Sequence, residues 1–249
     1  MKISRFEAVG RCLLWKEKKI LVIGDLHLGY EDYLQEAGWS FPKTQMQESE
    51  KILNKILKKI GKVEKIILLG DVKHYFGGIL SEEFGDFYKI IEILGKKLEK
   101  NGKIIITRGN HDNILEPIVK NYKKVELVDY YVEEDAIFFH GSPKNFKDFS
   151  SILRKKEIKV IICGHFHPAV LLEKGEKKEK YKCFLHGRDS DLKKEIVILP
   201  SFFPLVEGSN ILMHAQLEKK KILNFKVYLV DEEDNVYDFG KVKDFEIKE

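Results

Sequence analysis

Arg108-Gly109-Asn110-His111-Asp112 follows the apolar run Ile104, Ile105, Ile106 and sets an amide, an imidazole and a carboxylate in consecutive positions. A short apolar run of this kind reads as a buried strand, so the polar groups stand where that strand surfaces. Packing alone rarely asks for such a sequence. The construction recurs at Leu21 to His27, Ile66 to Asp71 and Val160 to His167, with Ala136 to Gly141 as a variant. Five strand ends are therefore expected to converge on one polar site.

Around these runs the chain alternates. Short strands are expected at Phe6 to Val9, Cys12 to Trp15 and Ile20 to Ile23, and a short helix at Glu31 to Ala37. Thr44 to Ile60 places Ile52, Ile56, Leu57 and Ile60 at helical spacing, and Glu82 to Lys100 does the same with a core stripe of Phe84, Phe87, Ile91 and Leu94. Further helices are expected at Ile114 to Tyr122 and Asp148 to Lys155, and strands at Val125 to Val128, Tyr130 to Val132, Ala136 to Phe139 and Val160 to Cys163. From there the pattern turns mostly β: Ala169 to Leu172, Tyr181 to His186, Glu195 to Leu199, Ile211 to His214, then a hairpin of Ile222 to Val230 and Val236 to Phe239. Early β-α-β alternation predicts a layered α/β fold with ligands outside the carboxyl ends of the strands.

With 249 residues and 43% apolar content, the chain is long enough to bury a sizeable core, and one domain over 1–249 is expected, with about 216–249 as a small β-hairpin appendage. The longest apolar stretch, Ile196 to Val206, is broken by Pro200 and Pro204, so no membrane span is expected. Met1 to Arg5 lacks the apolar core of a secretory signal, which points to the cytoplasm. Cys12, Cys163 and Cys183 form no C-x-x-C pair and read as reduced packing residues. The net charge is only +4 with 34% charged residues, so lysine and glutamate are mixed, as in Lys174 to Lys182. Abundant Lys and Glu beside four glutamines is the bias of proteins from hot environments.

The polar groups, in order, are Asp25-x-His27, Gly70-Asp71, Gly109-Asn110-His111-Asp112, His140-Gly141 and Gly164-His165-x-His167. Imidazole nitrogens and carboxylate oxygens on strand-end loops make a mixed N/O donor set, which suits Mn, with Fe, Zn, Ni and Mg as alternatives. Seven candidate ligands, Asp25, His27, Asp71, Asn110, His140, His165 and His167, exceed the needs of one ion. They suit two divalent ions sharing a bridging carboxylate, which can clamp a phosphoryl group and acidify a water held between them. The resulting hydroxide would be the nucleophile, and a nearby non-ligating imidazole could protonate the leaving oxygen.

In this order the five motifs resemble the signature of the calcineurin-like metallophosphoesterases over roughly Ile20 to Asn210. The resemblance implies a layered α/β fold of mixed β-sheets flanked by helices. It implies that Asp25, His27 and His167 hold one metal, that Asp71 bridges, and that Asn110, His140 and His165 hold the second. His111 would be the proton donor, and Asp112 would orient that histidine or cap the next helix. Asp25-Leu26-His27-Leu28-Gly29-Tyr30-Glu31, Gly70-Asp71-Val72-Lys73-His74 and Leu199-Pro200-Ser201-Phe202-Phe203-Pro204-Leu205 look closer to the branch related to SbcD-type repair nucleases. His74, three residues after the bridging Asp, is the informative one: repair nucleases resemble this chain there, whereas protein phosphatases of the superfamily carry Asp. A second imidazole near the phosphate suits a diester. The chain departs from the repair nucleases in being short, with no evident large capping domain after the last motif.

His186 and His214 read as surface or satisfied core residues, and Arg108 and Lys73 as either phosphate neutralisers or structural cations. Tyr30 and Glu31 stand equally between a role behind the site and a helix start. The expected function is metal-dependent hydrolysis of phosphodiester bonds by a metal-bridged hydroxide, on nucleic acid or nucleotides. The alternatives are a phosphomonoesterase or nucleotide pyrophosphatase using the same site, and a non-catalytic interaction scaffold on the same fold.

Overall fold

The computed structural model describes residues 1–40, 42–75, 81–112, 114–174, 177–214, 217 and 219–245. Gly175 and Glu176 of the mixed-charge stretch Lys174 to Lys182, and 216, 218 and 246–249 of the expected C-terminal appendage, lie outside the described residues. In chain order β1 (Lys2–Ile3), β2 (Phe6–Val9), β3 (Cys12–Trp15) and β4 (Ile20–Ile23) make an antiparallel meander. α1 (Tyr30–Glu36) and α2 (Gln45–Lys58) follow. β5 (Val63–Leu68), α3 (Ser81–Gly95), β6 (Leu98–Thr107), α4 (Glu116–Val119) and β7 (Val125–Val128) then extend the same sheet with parallel strands. Among the described residues this sheet runs β1 to β7 in sequence order.

The second sheet starts with β8 (Tyr131–Glu133) and β9 (Ala136–Phe139), followed by α5 (Pro143–Asp148), α6 (Ser150–Leu153) and β10 (Val160–Cys163). It continues through β11 (Pro168–Lys174), β12 (Lys177–Arg188), β13 (Glu195–Ile198) and β14 (Ser209–Asn210) to α7 (Lys219–Ile222), β15 (Lys226–Val230) and β16 (Val236–Lys241). Its order is β14-β11-β12-β13-β10-β9-β8, and the C-terminal hairpin joins through β15, which pairs with β12. β9, β10 and β13 are parallel.

Strands such as Ile66 to Leu68 are apolar on both faces because both faces are covered. Trp15, Val22, Ile67 and Ile105 meet Phe138, Ile162, Phe184 and Val197 between the sheets. On the outer side of the first sheet, Ile66, Leu68, Ile104 and Ile106 pack with Leu53 and Ile56 of α2 and Phe87, Ile90 and Leu94 of α3. The outer side of the second sheet packs Ile137, Ile161 and Ile198 with Leu153 and Ile222. The expected layered fold of mixed sheets flanked by helices is what the chain forms.

Three expectations are corrected. The helix from Glu82 to Lys100 stops at Gly95, and Leu98–Thr107 is one long strand. Phe84 is 43% exposed while Phe87 is 3% exposed; at 3.6 residues per turn Phe84 lies about 80° around the helix from Leu94, at the margin of the stripe. Ile211 to His214 is not a strand, because the Asn210 side chain accepts from the Leu212 amide at 3.1 Å and turns the chain. Helix formation in the Asp148 region begins earlier than expected, at Pro143, where Ser142 and Asn145 form a capping box.

Candidate metal centre

Parallel strands β4, β5, β6, β9 and β10 deliver their carboxyl ends to one edge of the two sheets, and each expected motif lies just past one of those ends. The loops are held in unusual backbone conformations. His27, Asp71, His165 and His167 have φ of 48°, 46°, 69° and 45°, the left-handed region that side chains other than glycine seldom enter. Such geometry persists only where the surroundings over-determine it, and it clusters at functional sites. Two glycines let the loops approach. A Cβ on Gly109 would lie 2.2 Å from the amide nitrogen and Oδ1 of Asp71, and one on Gly164 would lie 2.5 Å from Oδ2 of Asp25.

All nine residues expected at the site gather there. Asp25, His27 and His167 form one group and Asp71, His140 and His165 another, each with donor atoms within 4.8 Å of one another. Each group draws on both sheets. Nε2 of His27 and Nε2 of His167 are 3.3 Å apart, and Nε2 of His167 is 3.3 Å from Asp25 Oδ1. In the second group His140 Nε2 is 3.3 Å from Asp71 Oδ2 and 2.9 Å from His165 Nδ1. Asn110 Nδ2 reaches His165 at 3.5 Å. The groups are linked: His140 Nδ1 lies 3.5 Å from Asp25 Oδ1, and His27 Nε2 lies 3.9 Å from Asp71 Oδ2. His27 also forms a third close set with His74 and His111.

Several hydrogen bonds aim these rings. His140 Nδ1 donates to the Leu69 carbonyl at 2.8 Å, which leaves Nε2 facing Asp71 and His165. His111 Nδ1 contacts the His74 carbonyl, and its amide donates to Asp71 Oδ1 at 3.0 Å. His74 Nδ1 is 3.3 Å from His27 Nδ1, and its ring stacks on His111 with centroids 5.3 Å apart. The Asp25 carboxylate accepts from the His165 amide at 3.2 Å, and the Asp25 carbonyl accepts from the amides of Phe202 and Phe203.

Electrostatically the floor of the centre is a pair of buried carboxylates, Asp25 and Asp71, while His165 and His167 are only partly covered. Asp25 and His140 have no solvent exposure. Burial pushes the Asp25 carboxyl up, but His167, His140 and His27 overcome it and hold it below the usual range. Burial does the same to Asp71, where the hydrogen bond from His140 wins in the lowering direction. Burial opposes the charge on His140, yet Asp71 and then Asp25 raise it above the ordinary imidazole value. Burial pushes His27 down to about 3, and burial with His111 pushes His74 down to about 4. Two buried carboxylates thus favour positive charge beside His140. With carboxylate oxygens and imidazole nitrogens within 4.8 Å of one another in each group, the donor set fits divalent metal.

Residues behind the site were less legible. Asp112 neither orients His111 nor caps α4. It is buried and accepts from the amides of Gly109 at 2.9 Å, Val72 at 3.0 Å and Lys73 at 3.4 Å, bracing the two loops against each other. Burial and the nearby Asp71 push it up to about 6. Gln45, which belongs to none of the motifs, donates to the His27 carbonyl at 2.6 Å. Glu31 holds Gln45 in turn, accepting from its amide at 2.9 Å and from the Thr44 amide at 2.8 Å. A glutamine at a helix start carries no motif, and only its distance from residue 27 in the sequence could have hinted at it. Arg108 pairs with Asp129 at 3.5 Å and Glu116 at 3.9 Å, and Lys73 is buried with its Nζ on the Tyr75 carbonyl.

The sequence profile of the calcineurin-like phosphoesterases matches residues 18–169, more than half of the chain. No curated protein matches it in sequence. Among solved structures, the nuclease MPE of Pseudomonas putida shares 18% identity, with 94% of each chain covered and a TM-score of 0.58. That likeness is one of fold. A protein of Aquifex aeolicus (20% identity, 63% of this chain and 81% of that one, TM-score 0.41) is more distant. So is an archaeal phosphodiesterase (16% identity, 89% and 98%, TM-score 0.41).

Proposed function

Because the chain belongs to the calcineurin-like phosphoesterase family, we propose that it is a dinuclear-metal phosphodiesterase. The observation that carries the reading is the pair of donor groups, Asp25 with His27 and His167, and Asp71 with His140 and His165, set side by side with a buried carboxylate in each and a partly exposed histidine, His167 or His165, on the open side. In this reading Asp25, His27 and His167 would hold one ion, and His140, His165 and Asn110 the other, with Asp71 available to both. When bound, two divalent ions supply Lewis-acid stabilisation of phosphoryl charge and acidify water near neutral pH.

The chain's own residues do the rest. His111, with Nδ1 on the His74 carbonyl, keeps Nε2 turned to the site, 3.8 Å from Asp71 Oδ2, where it can hold a proton for a leaving oxygen. His74 Nδ1, 3.3 Å from His27 Nδ1, is placed to take the Nδ1 proton that His27 must carry if its Nε2 lone pair is to serve as a ligand. Gln45 and Glu31 fix the height of the His27 loop, and Asp112 fixes the spacing of the two loops carrying Asp71 and His111. Mn is the proposed metal: the two groups offer four imidazoles and two carboxylates, a mixed nitrogen and oxygen set whose carboxylates suit that ion. The proposed compartment is the cytoplasm, in keeping with three buried free thiols. Nucleic acid or a nucleotide is the proposed substrate, and the fold likeness to a nuclease is consistent with that.

The test is metal content measured beside a substrate panel. Protein expressed with Mn should carry two ions per chain and hydrolyse bis(p-nitrophenyl) phosphate faster than p-nitrophenyl phosphate or pyrophosphate. Fully loaded protein that cleaves no diester would refute the reading, and a strong monoester or pyrophosphate preference would replace it with the corresponding activity.

A further inference from the structure

At the end of the second sheet opposite the metal centre, the strands present cations instead of ligands. Pairing registers align them. Lys159 precedes Val160, which pairs with Glu195; Lys194 precedes Glu195, which pairs in turn with Arg188. His186 pairs with Lys226, and Lys226 with Lys241. One basic residue therefore stands at the end of each of five neighbouring strands, β10, β13, β12, β15 and β16. With strands about 4.8 Å apart, the row is about 19 Å long. These side chains and Lys193 line one open pocket of about 660 Å³.

That pocket is not a sample of the chain's ordinary lysine–glutamate mixture. A pocket of about 610 Å³ on the first sheet is lined by Lys65, Lys100 and Lys103 together with Glu64, Glu99 and Glu126. There Lys65 pairs with Glu133 at 3.0 Å and Lys103 pairs with Glu126. In the basic pocket the one lining carboxylate, Glu195, is taken by His186 at 2.7 Å. Lys226 is taken by Asp238 at 2.9 Å, and Lys194 by the carbonyls of Lys155 and Ile158. Lys159, Arg188, Lys193 and Lys241 make no ion pair among the described residues. Gathered like charges repel one another and raise the local concentration of anions. A straight row matches an extended polyanion better than a compact one.

We infer that this row is a second binding surface, one that holds the phosphate backbone of a nucleic acid strand away from the metal centre. The inference rests on the phosphodiesterase reading and narrows its substrate from nucleic acid or nucleotide to a polynucleotide strand. β10 separates Lys159 from His165, about 20 Å at 3.3 Å per residue. A small diester at the metal centre does not reach the row, whereas a strand of several nucleotides spans both.

The experiment measures anisotropy of a labelled oligothymidylate with the full chain in EDTA over a series of KCl concentrations, so that no turnover intervenes. The variant Arg188→Gln, Lys193→Gln, Lys241→Gln should bind at least about tenfold more weakly. Its slope of log affinity against log salt should be shallower by about 2, at about 0.7 per phosphate contact. A melting curve checks that it is folded; should it not be, Arg188→Gln alone should reduce the slope by about 0.7. The charge-keeping variant Arg188→Lys should retain the slope. Wild-type affinity and slope in the neutralised variant would overturn the inference, as would preference for inorganic triphosphate over the oligonucleotide at equal phosphate. Failure of the phosphodiesterase reading registers separately, as absence of bis(p-nitrophenyl) phosphate hydrolysis by the metal-loaded wild type.

Discussion

His111 is the residue on which chemistry and binding can be told apart. Its ring touches Asp71 only at 3.8 Å and is anchored through Nδ1 on the His74 carbonyl, so its removal leaves both donor groups intact. His111→Ala should lower diester turnover by about 10²–10⁴-fold, the ordinary weight of a general acid. Metal content measured by mass spectrometry should not change. Lys182 offers a second test at this scale. It is buried, donates to Ser201 Oγ and the Val206 carbonyl at 2.7 Å each, and burial with Arg11 holds its ammonium well below the ordinary value of 10.5. The unfolded chain binds the proton that the folded chain gives up. Stability should therefore rise with pH between the depressed value and 10.5, by up to about 1.4 kcal/mol per unit. Urea titrations at neutral and mildly alkaline pH should show that slope, and Lys182→Met should flatten it. Neither Lys182 nor Gln45 stood out in the sequence, because each acts through backbone carbonyls far away along the chain.

Elements were legible where one signal dominated. Phe6 to Val9, Cys12 to Trp15, Ile20 to Ile23, Val125 to Val128, Ala136 to Phe139 and Val160 to Cys163 are strands with the expected bounds, because apolar runs closed by turn residues admit little else. The clustering of the candidate metal ligands was legible for the same reason, since each motif is the sudden polar end of such a run. Helix α3 was legible only in part. Its periodicity continues past Gly95 on paper, but Leu98 onward pairs with β5, and pairing outweighs local propensity. The exposed Phe84 and buried Phe87 convert that correction into a measurement. Phe87→Ala should cost about 3–5 kcal/mol of stability in urea unfolding, and Phe84→Ala should stay within about 0.5 kcal/mol. Equal losses would mean the stripe runs as the periodicity alone suggests.

Across the whole molecule, Arg11 ties the beginning of the chain to its end. Its Nε donates to Asp234 Oδ1 at 2.8 Å in the turn between β15 and β16, and Nη1 reaches the Phe202 carbonyl at 3.5 Å. The amide of Phe202 in turn holds the Asp25 carbonyl at 2.9 Å. Arg11→Ala strands a buried carboxylate and should cost about 3–5 kcal/mol in thermal or urea unfolding. Replacing both partners by leucine should recover much of that loss. The division of each donor group between the two sheets bears on assembly as well. A newly made chain would own no complete ion cage until the segment bearing His165 and His167 has docked on the one bearing Asp25 and Asp71. Ion capture would then be a late event, sealing a tertiary arrangement already reached, and stripping the ions would loosen the seam between the layers before it disturbed either layer alone.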